Sequence, residues 1–235
     1  MAPKKYLIVN ADDFGQSPGV NRGIFEAHEH GIVTSASLMV RWPAAVDAAT
    51  YSREHPKLSL GIHVDLGEWA YRDETWVPVY EVVPVDDVEA VKNEAARQLA
   101  TFRRLMGRDP SHIDSHQHVH LREPARSVLV DLARDLHVPL RHCSPGVHYC
   151  GNFYGQTAEG YPFPDAISVE GLLKTLTSLP PGLTELGCHP GEGNNLNTMY
   201  RSEREREVKT LCDPRVRATI DGEEIELRSF HEVAA

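Results

Sequence analysis

The chain has 235 residues, of which 41% are hydrophobic and 25% charged, and its 34 acidic and 24 basic side chains give a formal net charge of −10. A chain of this length buries about 70–75% of its unfolded surface and needs no disulfide bonds to be stable. The acidic balance argues against nucleic acid as a partner, because binding to phosphates depends on clustered Lys and Arg. No apolar run approaches the roughly 20 residues that span a membrane, so no membrane partner is expected.

Short apolar segments alternate along the chain with amphipathic ones. In chain order the pattern predicts strand 6–11, helix 17–30, strand 34–40, helix 44–54, strand 58–66, helix 86–106, strand 112–119, helix 124–136, strand 138–143, helix 169–179, strand 183–188, helix 202–211 and strand 226–230. Strands that alternate with helices form parallel sheets that the helices cover. About seven such units without a linker favour an α/β fold with a closed or nearly closed barrel, in a single domain over 1–235.

Two long segments, 67–84 and 145–165, interrupt this alternation and are predicted to be loops. Long loops in compact domains are usually lids or binding loops. In a barrel, loops that follow strands lie at the face where active sites form. The alternative is that both segments are simple surface excursions.

The four cysteines lie far apart in the sequence, without CxxC spacing. This spacing is typical of reduced thiols in a cytoplasmic protein rather than of a disulfide framework or a zinc site. The first residues pass directly into a strand-like run and lack the apolar region of a signal peptide. A cytoplasmic location is therefore expected.

Polar and ionisable residues occur at the ends of four predicted strands, where they would be costly if the strand were buried on both faces. In a parallel barrel these ends converge on one site. The segments concerned are NADDFG from Asn10, GIHVDL from Gly61, HIDSHQHVH from His112 and GCHPG from Gly187.

The adjacent carboxylates of Asp12 and Asp13 admit two interpretations. They could form an Asx turn that ends the strand, with Gly15 supplying the bend. Alternatively, since side chains alternate along a strand, one could bind a metal while its neighbour acts as a base. His63 taken alone would be a satisfied core histidine, but the Asp pair and the later histidines favour a functional role.

The fourth predicted strand is the most specific feature of the sequence. Four of its histidines and one aspartate share one parity and would line one face: His112, Asp114, His116, His118 and His120. Imidazole is the commonest transition-metal ligand. Asp114 could orient a ligand imidazole through its other ring nitrogen. Spacing alone does not choose among His116, His118 and His120.

Two His and one Asp would form a three-ligand site for Zn²⁺ or another divalent ion that holds a water. The ion lowers the pKa of that water and polarises a carbonyl. Asp12 would take the water's proton and His189 would protonate the leaving group, which describes hydrolysis of an amide or ester.

Other polar residues are predicted to lie away from this chemistry. The segment 202–209 is predicted to be a solvated, salt-bridged helix face. Cys188 is predicted to be a buried structural thiol. Five histidines are predicted to be solvated: His28, His30, His55, His137 and His231.

The chain resembles the YdjC/ChbG carbohydrate deacetylase family over nearly its whole length. The resemblance rests on IVNADDFG, NRGIFEA, GIVTSAS, GIHVDL, HIDSHQHVH and CHPG, which occur in this order. It implies a deformed, roughly seven-stranded (β/α) TIM-like barrel. It also implies metal-dependent removal of N-acetyl groups from a small amino sugar or oligosaccharide.

Carried over by position, the resemblance implies that Asp13, His63 and His116 hold one divalent ion, Mg²⁺ or Zn²⁺. Asp12 matches the general base and His189 the general acid. The sequence pattern adds four candidates for contact with the ligands or the substrate: Asp114, His118, His120 and Arg141. The family often has SHHHVH where this chain has SHQHVH, with Gln117 as the difference.

Two alternatives to a deacetylase remain at this point. One is a non-catalytic metal- or sugar-binding relic, which would have no need for both Asp12 and His189. The other is a metal-dependent phosphoesterase, for which Arg141 is the one candidate phosphate clamp, although Arg141 could instead hold Asp12 in its ionised form. Aromatic residues of the two long segments suit sugar stacking, or else they pack the segments down: Trp69, Tyr71, Trp76, Phe153, Tyr154, Tyr161 and Phe163. A homodimer is compatible with the sequence.

Overall fold

The computed structural model describes residues 3–193 and 196–233, and within that part of the chain seven strands form a parallel sheet. These strands are β1 (Lys5–Phe14), β2 (Ser35–Leu38), β3 (Ser59–Val64), β6 (Ile113–Ser115), β7 (Val147–Cys150), β8 (Gly182–Cys188) and β9 (Ile225–Leu227). Their order is β6-β3-β2-β1-β8-β7, with β9 beside the first residues of β1. A separate antiparallel pair consists of β4 (Gly67–Arg72) and β5 (Thr75–Glu81).

Helices connect the parallel strands, as such a sheet requires. They are α1 (Pro18–Glu29), α2 (Ala45–Glu54), α3 (Val88–Met106), α4 (Ala125–Leu136), α5 (Val169–Thr177), α6 (Ser202–Leu211) and α7 (Pro214–Gly222). Local signals set their ends. The Ser17 side chain accepts a hydrogen bond from Val20 at the start of α1, and Gly107 (φ 68) ends α3 in the left-handed conformation that glycine favours.

The sheet curls into part of a barrel. Leu7, Ile8 and Val9 of β1 are fully buried, as expected for a strand covered on both faces. The side chain of Arg141, which lies beside β6, reaches Glu185 on β8 near the other end of the strand order. Such a contact requires curvature, so the predicted α/β fold with a deformed TIM-like barrel is confirmed. No helix of the described residues is long and apolar enough to span a bilayer.

The strand predicted at 112–119 is wrong beyond Ser115. A 3₁₀ segment, His116–Leu121, follows β6, and Gln117 (φ 49) and His118 (φ 52) adopt left-handed conformations within it. The Ser115 hydroxyl accepts a hydrogen bond from the backbone N–H of His120 at 3.1 Å. Such local side-chain bonds compete with the strand ladder. The histidines of this segment therefore do not share one strand face.

The structure also corrects four other predicted elements. The strand predicted at 138–143 is reduced to one bridge between Ile113 and Leu140. The predicted loop 67–84 contains the β4–β5 hairpin, whose two-residue turn has positive φ at Asp73 and Glu74, as a type I′ turn requires. The predicted loop 145–165 contains β7. Near the C-terminus α7 was not predicted, and the strand predicted at 226–230 ends at Leu227 before a 3₁₀ turn, Phe230–Glu232.

Candidate metal centre

The predicted site residues meet at the carboxyl-terminal edge of the sheet. β1 carries Asp12 and Asp13 near its end, and β3 carries His63. His116 directly follows β6, and His189 directly follows β8. Since these strands are parallel, their carboxyl ends bring the side chains together: Asp12, Asp13, His116 and His189 line one cavity, and His63 lies against Asp13.

The end of β1 departs from a regular strand. Its pairing with β2 shifts register between Ala11 and Phe14, and Asp13 has a φ of 64°, a left-handed conformation that Asp tolerates better than most residues. Both Asp12 and Asp13 line the same cavity, although regular alternation would send them to opposite faces. The irregular backbone thus delivers two carboxylates to one site.

Asp13, His63 and His116 form the most compact donor set. Asp13 Oδ1 lies 3.3 Å from His63 Nε2 and 2.9 Å from His116 Nδ1. The three side chains each offer one donor atom, and these atoms lie within 4.8 Å of one another. Ligands at about 2.0–2.2 Å around a tetrahedral Zn²⁺ are about 3.3–3.6 Å apart, so the observed spacing is close to that of a metal site.

His63 is oriented by a second carboxylate. Its Nδ1 donates to Asp114 Oδ1 at 2.7 Å, and Asp114 in turn accepts from the Ser37 hydroxyl at 2.6 Å. Burial alone would lower the pKa of His63, but the Asp114 carboxylate raises it to about 9. A proton fixed on Nδ1 leaves Nε2 directed at Asp13, the arrangement that metal-binding histidines commonly adopt.

The chemistry of these residues fits a divalent ion. The set offers two imidazoles and one carboxylate, which Zn²⁺ and related ions bind. His116 faces Asp13 through Nδ1, whereas its Nε2 points away from the donor set and has no hydrogen-bond partner among the described residues. A second group, Asp12 with His63 and Asp114, also satisfies the distance criterion, but the hydrogen bonds of its two carboxylates to Arg141, Asn10 and Ser37 already use their oxygens.

Asp12 is held by a buried arginine. Arg141 Nη1 and Nη2 lie 2.6 and 2.7 Å from the two Asp12 oxygens, and Asn10 Nδ2 donates to Oδ1 at 2.8 Å. Burial acts to raise the pKa of Asp12, but the Arg141 guanidinium outweighs it and the pKa is lowered. Arg141 also lies 2.7 Å from Asp114 and from Glu185. With three carboxylates around it, the guanidinium is fully engaged.

His189 lies next to Asp12. Its Nε2 is 3.8 Å from Asp12 Oδ2, while its Nδ1 has no hydrogen-bond partner among the described residues. Burial lowers the pKa of His189 to about 4. The ring is therefore neutral at pH 7, and its imidazolium form would be a strong proton donor.

A cavity of about 670 Å³ opens above these residues. Asp12, Asp13, His116 and His189 line it together with aromatic side chains. Four of the seven aromatic residues predicted to contact a sugar line it: Trp69, Trp76, Phe153 and Tyr154. Tyr149 and Tyr200 complete the aromatic wall, which the sequence analysis did not predict.

The sequence of residues 6–222 matches the family described as YdjC-like protein. The chain belongs to the YdjC-like family. It is 33% identical to a carbohydrate deacetylase from Geobacillus stearothermophilus, over 97% of this chain and 98% of the relative. It is 30% identical to a chitooligosaccharide deacetylase from Serratia marcescens, over 98% of this chain and 100% of the relative.

Solved structures share the fold of this YdjC-like chain. A proposed cellobiose-phosphate cleavage protein from Enterococcus faecalis superposes with a TM-score of 0.78 at 28% identity, over 99% of this chain and 100% of that one. A family 4 carbohydrate esterase from Streptomyces lividans, solved with acetate, superposes with a TM-score of 0.57 over 100% of this chain and 98% of that one. At 10% identity the second similarity concerns the fold alone.

Two site residues come from α6, which the sequence analysis wrongly predicted to be a solvated face. Arg204 and Glu207 are 1% and 0% exposed. Arg204 Nη2 donates to Asp13 Oδ2 at 2.6 Å, and Glu207 accepts from the backbone N–H of His189 and from the Tyr200 hydroxyl. Burial raises the pKa of Glu207 to about 8. The spacing of 204, 207 and 211 on one helix face was the available signal.

The other histidines of the 112–120 segment have separate environments. His118 lines the cavity with its Nε2 3.4 Å from the Tyr149 hydroxyl. His120 is buried, its Nδ1 2.5 Å from the Ser115 hydroxyl and its Nε2 3.1 Å from the Arg141 carbonyl. His112 lies below the site, stacked on Phe230 at 3.9 Å between ring centroids.

The residues predicted to lie away from the chemistry mostly do so. His30, His137 and His231 are exposed, whereas His28 and His55 are half-buried against Tyr51. The Cys188 thiol is buried and burial raises its pKa, which agrees with the predicted structural thiol.

Proposed function

We propose that this protein is a metal-dependent carbohydrate deacetylase that removes N-acetyl groups from an amino sugar or a short oligosaccharide. Asp13, His63 and His116 hold one divalent ion, Asp12 is the general base and His189 is the general acid. The observation that carries the proposal is the meeting of these five side chains beneath one aromatic cavity. The names of the relatives from Geobacillus stearothermophilus and Serratia marcescens support the reaction class.

A bound divalent ion would polarise the acetyl carbonyl and acidify a water. The remaining chemistry belongs to the chain. Asp12, kept ionised by Arg141, takes a proton from the attacking water. His189 is neutral at rest and lies 3.8 Å from Asp12, so it takes up the proton that Asp12 removes from the water and gives it to the departing amine. The Glu207 side chain accepts a hydrogen bond from the backbone N–H of His189 and so fixes the position of that residue.

The donor set favours Zn²⁺ or a similar transition ion over Mg²⁺. Two of the three proposed ligands are imidazoles, which suit zinc and its neighbours, whereas Mg²⁺ prefers carboxylates, carbonyls and water. Mg²⁺ remains the second candidate ion.

The cavity suits a sugar. Trp69 and Tyr154 line the cavity together with polar side chains such as Gln156, and small-molecule sites typically combine apolar walls with a few fixed polar groups. A neutral substrate is also compatible with the net charge of −10. We propose an N-acetylated mono- or oligosaccharide as the partner of this cavity.

The contacts of Arg141, Asp12 and His189 argue against the two alternatives, a phosphoesterase and a non-catalytic binding relic. Arg141 is enclosed by Asp12, Asp114 and Glu185, so it is not free to clamp a phosphate. This argues against a phosphoesterase. A non-catalytic relic would not need Asp12 and His189 side by side with buried supports, and both are present.

Acetate release tests the proposal. Metal-stripped protein is assayed on N-acetylglucosamine oligomers alone and after addition of Zn²⁺, Mg²⁺, Mn²⁺ or Co²⁺. We expect activity only with added metal and a loss of at least about a hundredfold in Asp12→Asn. Asp86→Asn, which changes a carboxylate on the rim of the same cavity, is the matched control. Equal turnover by Asp12→Asn and the wild type would refute the assigned mechanism.

We also propose a cytoplasmic location and a homodimeric assembly. The four cysteines are unpaired, which supports the proposed cytoplasmic location. A homodimer is the proposed assembly, and light scattering of the purified protein would test it.

A further inference from the structure

We propose that Glu68 is a positioning residue of the metal centre, whose carboxylate accepts the Nε2–H of His116 and so keeps Nδ1 of that ring turned to the ion. The inference rests on the proposed metal site. It goes beyond that site because it makes the β4–β5 hairpin part of the metal-binding apparatus.

Glu68 is a buried carboxylate with very little to neutralise it. It is 3% exposed, and its Oε2 lies 3.6 Å from His116 Nε2. Within residues 3–193 and 196–233 this is the single ion pair that Glu68 makes. A carboxylate removed from water is costly unless it is paired. Its burial beside His116 therefore indicates a specific use.

The two nitrogens of His116 face different groups. Nδ1 lies 2.9 Å from Asp13 Oδ1, on the side of the proposed ion, whereas Nε2 is buried without a hydrogen bond. A metal-binding imidazole usually donates its second N–H to a carboxylate or carbonyl. His63 does so through Asp114 at 2.7 Å. Glu68 occupies the corresponding place for His116, and a movement of less than about 1 Å would form the charge-assisted hydrogen bond.

The hairpin that carries Glu68 is fixed at two points. At its base, Asp65 Oδ1 accepts from the backbone N–H of Gly67 at 3.1 Å and from the Tyr80 hydroxyl at 3.0 Å. At its edge, the Gln117 side chain both donates to the Trp69 carbonyl at 2.8 Å and accepts from the Trp69 N–H at 2.9 Å. The strand register shifts between Glu68 and Trp69, and such a bulge re-aims a side chain.

These contacts join the cavity wall to the metal ligands. Trp69 lines the cavity, and its neighbour Glu68 faces His116. Gln117, the residue that follows His116, ties that wall to the segment that carries this ligand. Loosening the hairpin should therefore weaken metal binding even when all three proposed ligands are intact.

Calorimetric titration of metal-stripped protein with Zn²⁺ tests the proposal. We expect Glu68→Gln to bind Zn²⁺ about 10- to 100-fold more weakly than the wild type, the range seen when the partner of a metal-binding histidine is removed. Glu81→Gln, which removes the same charge from an exposed position of the hairpin, should bind as the wild type does. The visible spectrum of Co²⁺-loaded Glu68→Gln should keep its shape, since the ligands are unchanged.

Unchanged Zn²⁺ affinity in Glu68→Gln would overturn the proposal, and so would an altered Co²⁺ spectrum, which would make Glu68 a direct ligand. If that variant fails to fold, Gln117→Ala tests the proposal instead. This variant removes the two hydrogen bonds to the Trp69 backbone without removing a charge. We expect it to weaken Zn²⁺ binding, by about tenfold or less, and unchanged binding would overturn the proposal. If the wild type binds no metal, the proposed metal centre is refuted together with this inference. If the wild type and Glu68→Gln bind Zn²⁺ equally well, this inference alone is refuted.

Discussion

Removal of Arg141 is the perturbation with the largest predicted effect on stability. The residue is 4% exposed, and its guanidinium lies 2.6–2.7 Å from Asp12, Asp114 and Glu185. Arg141→Met keeps much of the side-chain volume but leaves three buried carboxylates without their cation. Loss of one partner of a buried ion pair costs about 3–5 kcal/mol. Since three carboxylates share this cation, we expect a cost of about 5 kcal/mol.

A loss of this size is large relative to total stability. Native proteins are stable by about 5–15 kcal/mol, and for a chain of this length each kcal/mol lowers Tm by about 2–4 °C. Arg141→Met should therefore melt about 10–20 °C below the wild type. The Tm of Arg141→Lys should lie between those of the wild type and Arg141→Met, because an ammonium keeps the charge but cannot make the bidentate contact with Asp12.

Urea unfolding followed by circular dichroism, in chelator at pH 7, measures these differences. Arg206→Met, on the exposed face of α6, is the matched control and should change the free energy of unfolding by less than about 0.5 kcal/mol. Adding Glu185→Gln to Arg141→Met should recover about 0.5–3 kcal/mol, because it removes one of the stranded carboxylates. An Arg141→Met protein within about 1 kcal/mol of the wild type would refute the idea that this cation holds the site together.

Three further outcomes follow from the same geometry. Glu207→Gln should lower kcat by about ten- to a hundredfold, with little change in KM, because one of the two oxygens that accept from the His189 N–H and the Tyr200 hydroxyl becomes an NH₂ group, which cannot accept. Steady-state kinetics on an N-acetylated sugar would show this. Burial lowers the pKa of His112 to about 3, below its unfolded value near 6.5, so its stabilising contribution is present above pH 6.5 and is lost as the pH falls. The free energy of unfolding of the wild type relative to His112→Gln should thus drop by about 2 kcal/mol between pH 8 and 5, and a constant difference would contradict this. Gly61→Ala should destabilise by about 1–3 kcal/mol in thermal melts, because a Cβ there would lie 2.4 Å from the His112 ring.

The barrel, and the edge of the sheet at which the candidate site lies, could be predicted because their signals are local. The apolar run of β1, the Ser17-Pro18 start of α1 and the repeated strand–helix alternation depend on neighbouring residues alone. The polar strand ends identify the face of the sheet at which the site lies. Two roles were open for Arg141, as a phosphate clamp or as the group that keeps Asp12 ionised. The structure places its guanidinium against the Asp12 carboxylate.

The parts that were not predicted depend on contacts that are distant in the sequence. Arg204 and Glu207 look like members of a solvated charged helix, and only the packing of α6 against α1 lets them reach Asp13 and His189. The strand after Ser115 breaks because a hydroxyl captures a backbone N–H, which a count of alternating residues does not register.

The β4–β5 hairpin was missed for a related reason. Its two-residue turn is formed by Asp73 and Glu74 rather than by the Asn-Gly or Asp-Gly pair that signals a hairpin. The same omission hid Glu68, whose proximity to His116 depends on the hairpin folding back over the site.

The central claim is that one divalent ion, held by Asp13, His63 and His116, is required for deacetylation. Its most direct test is a stoichiometric titration of metal-stripped protein with Zn²⁺ while acetate release from an N-acetylglucosamine oligomer is measured. We predict that activity rises in proportion to the added ion and reaches its plateau at one ion per chain, and that Asp13→Asn shows no such rise. Full activity in the stripped protein, or an equal rise in Asp13→Asn, would contradict the claim.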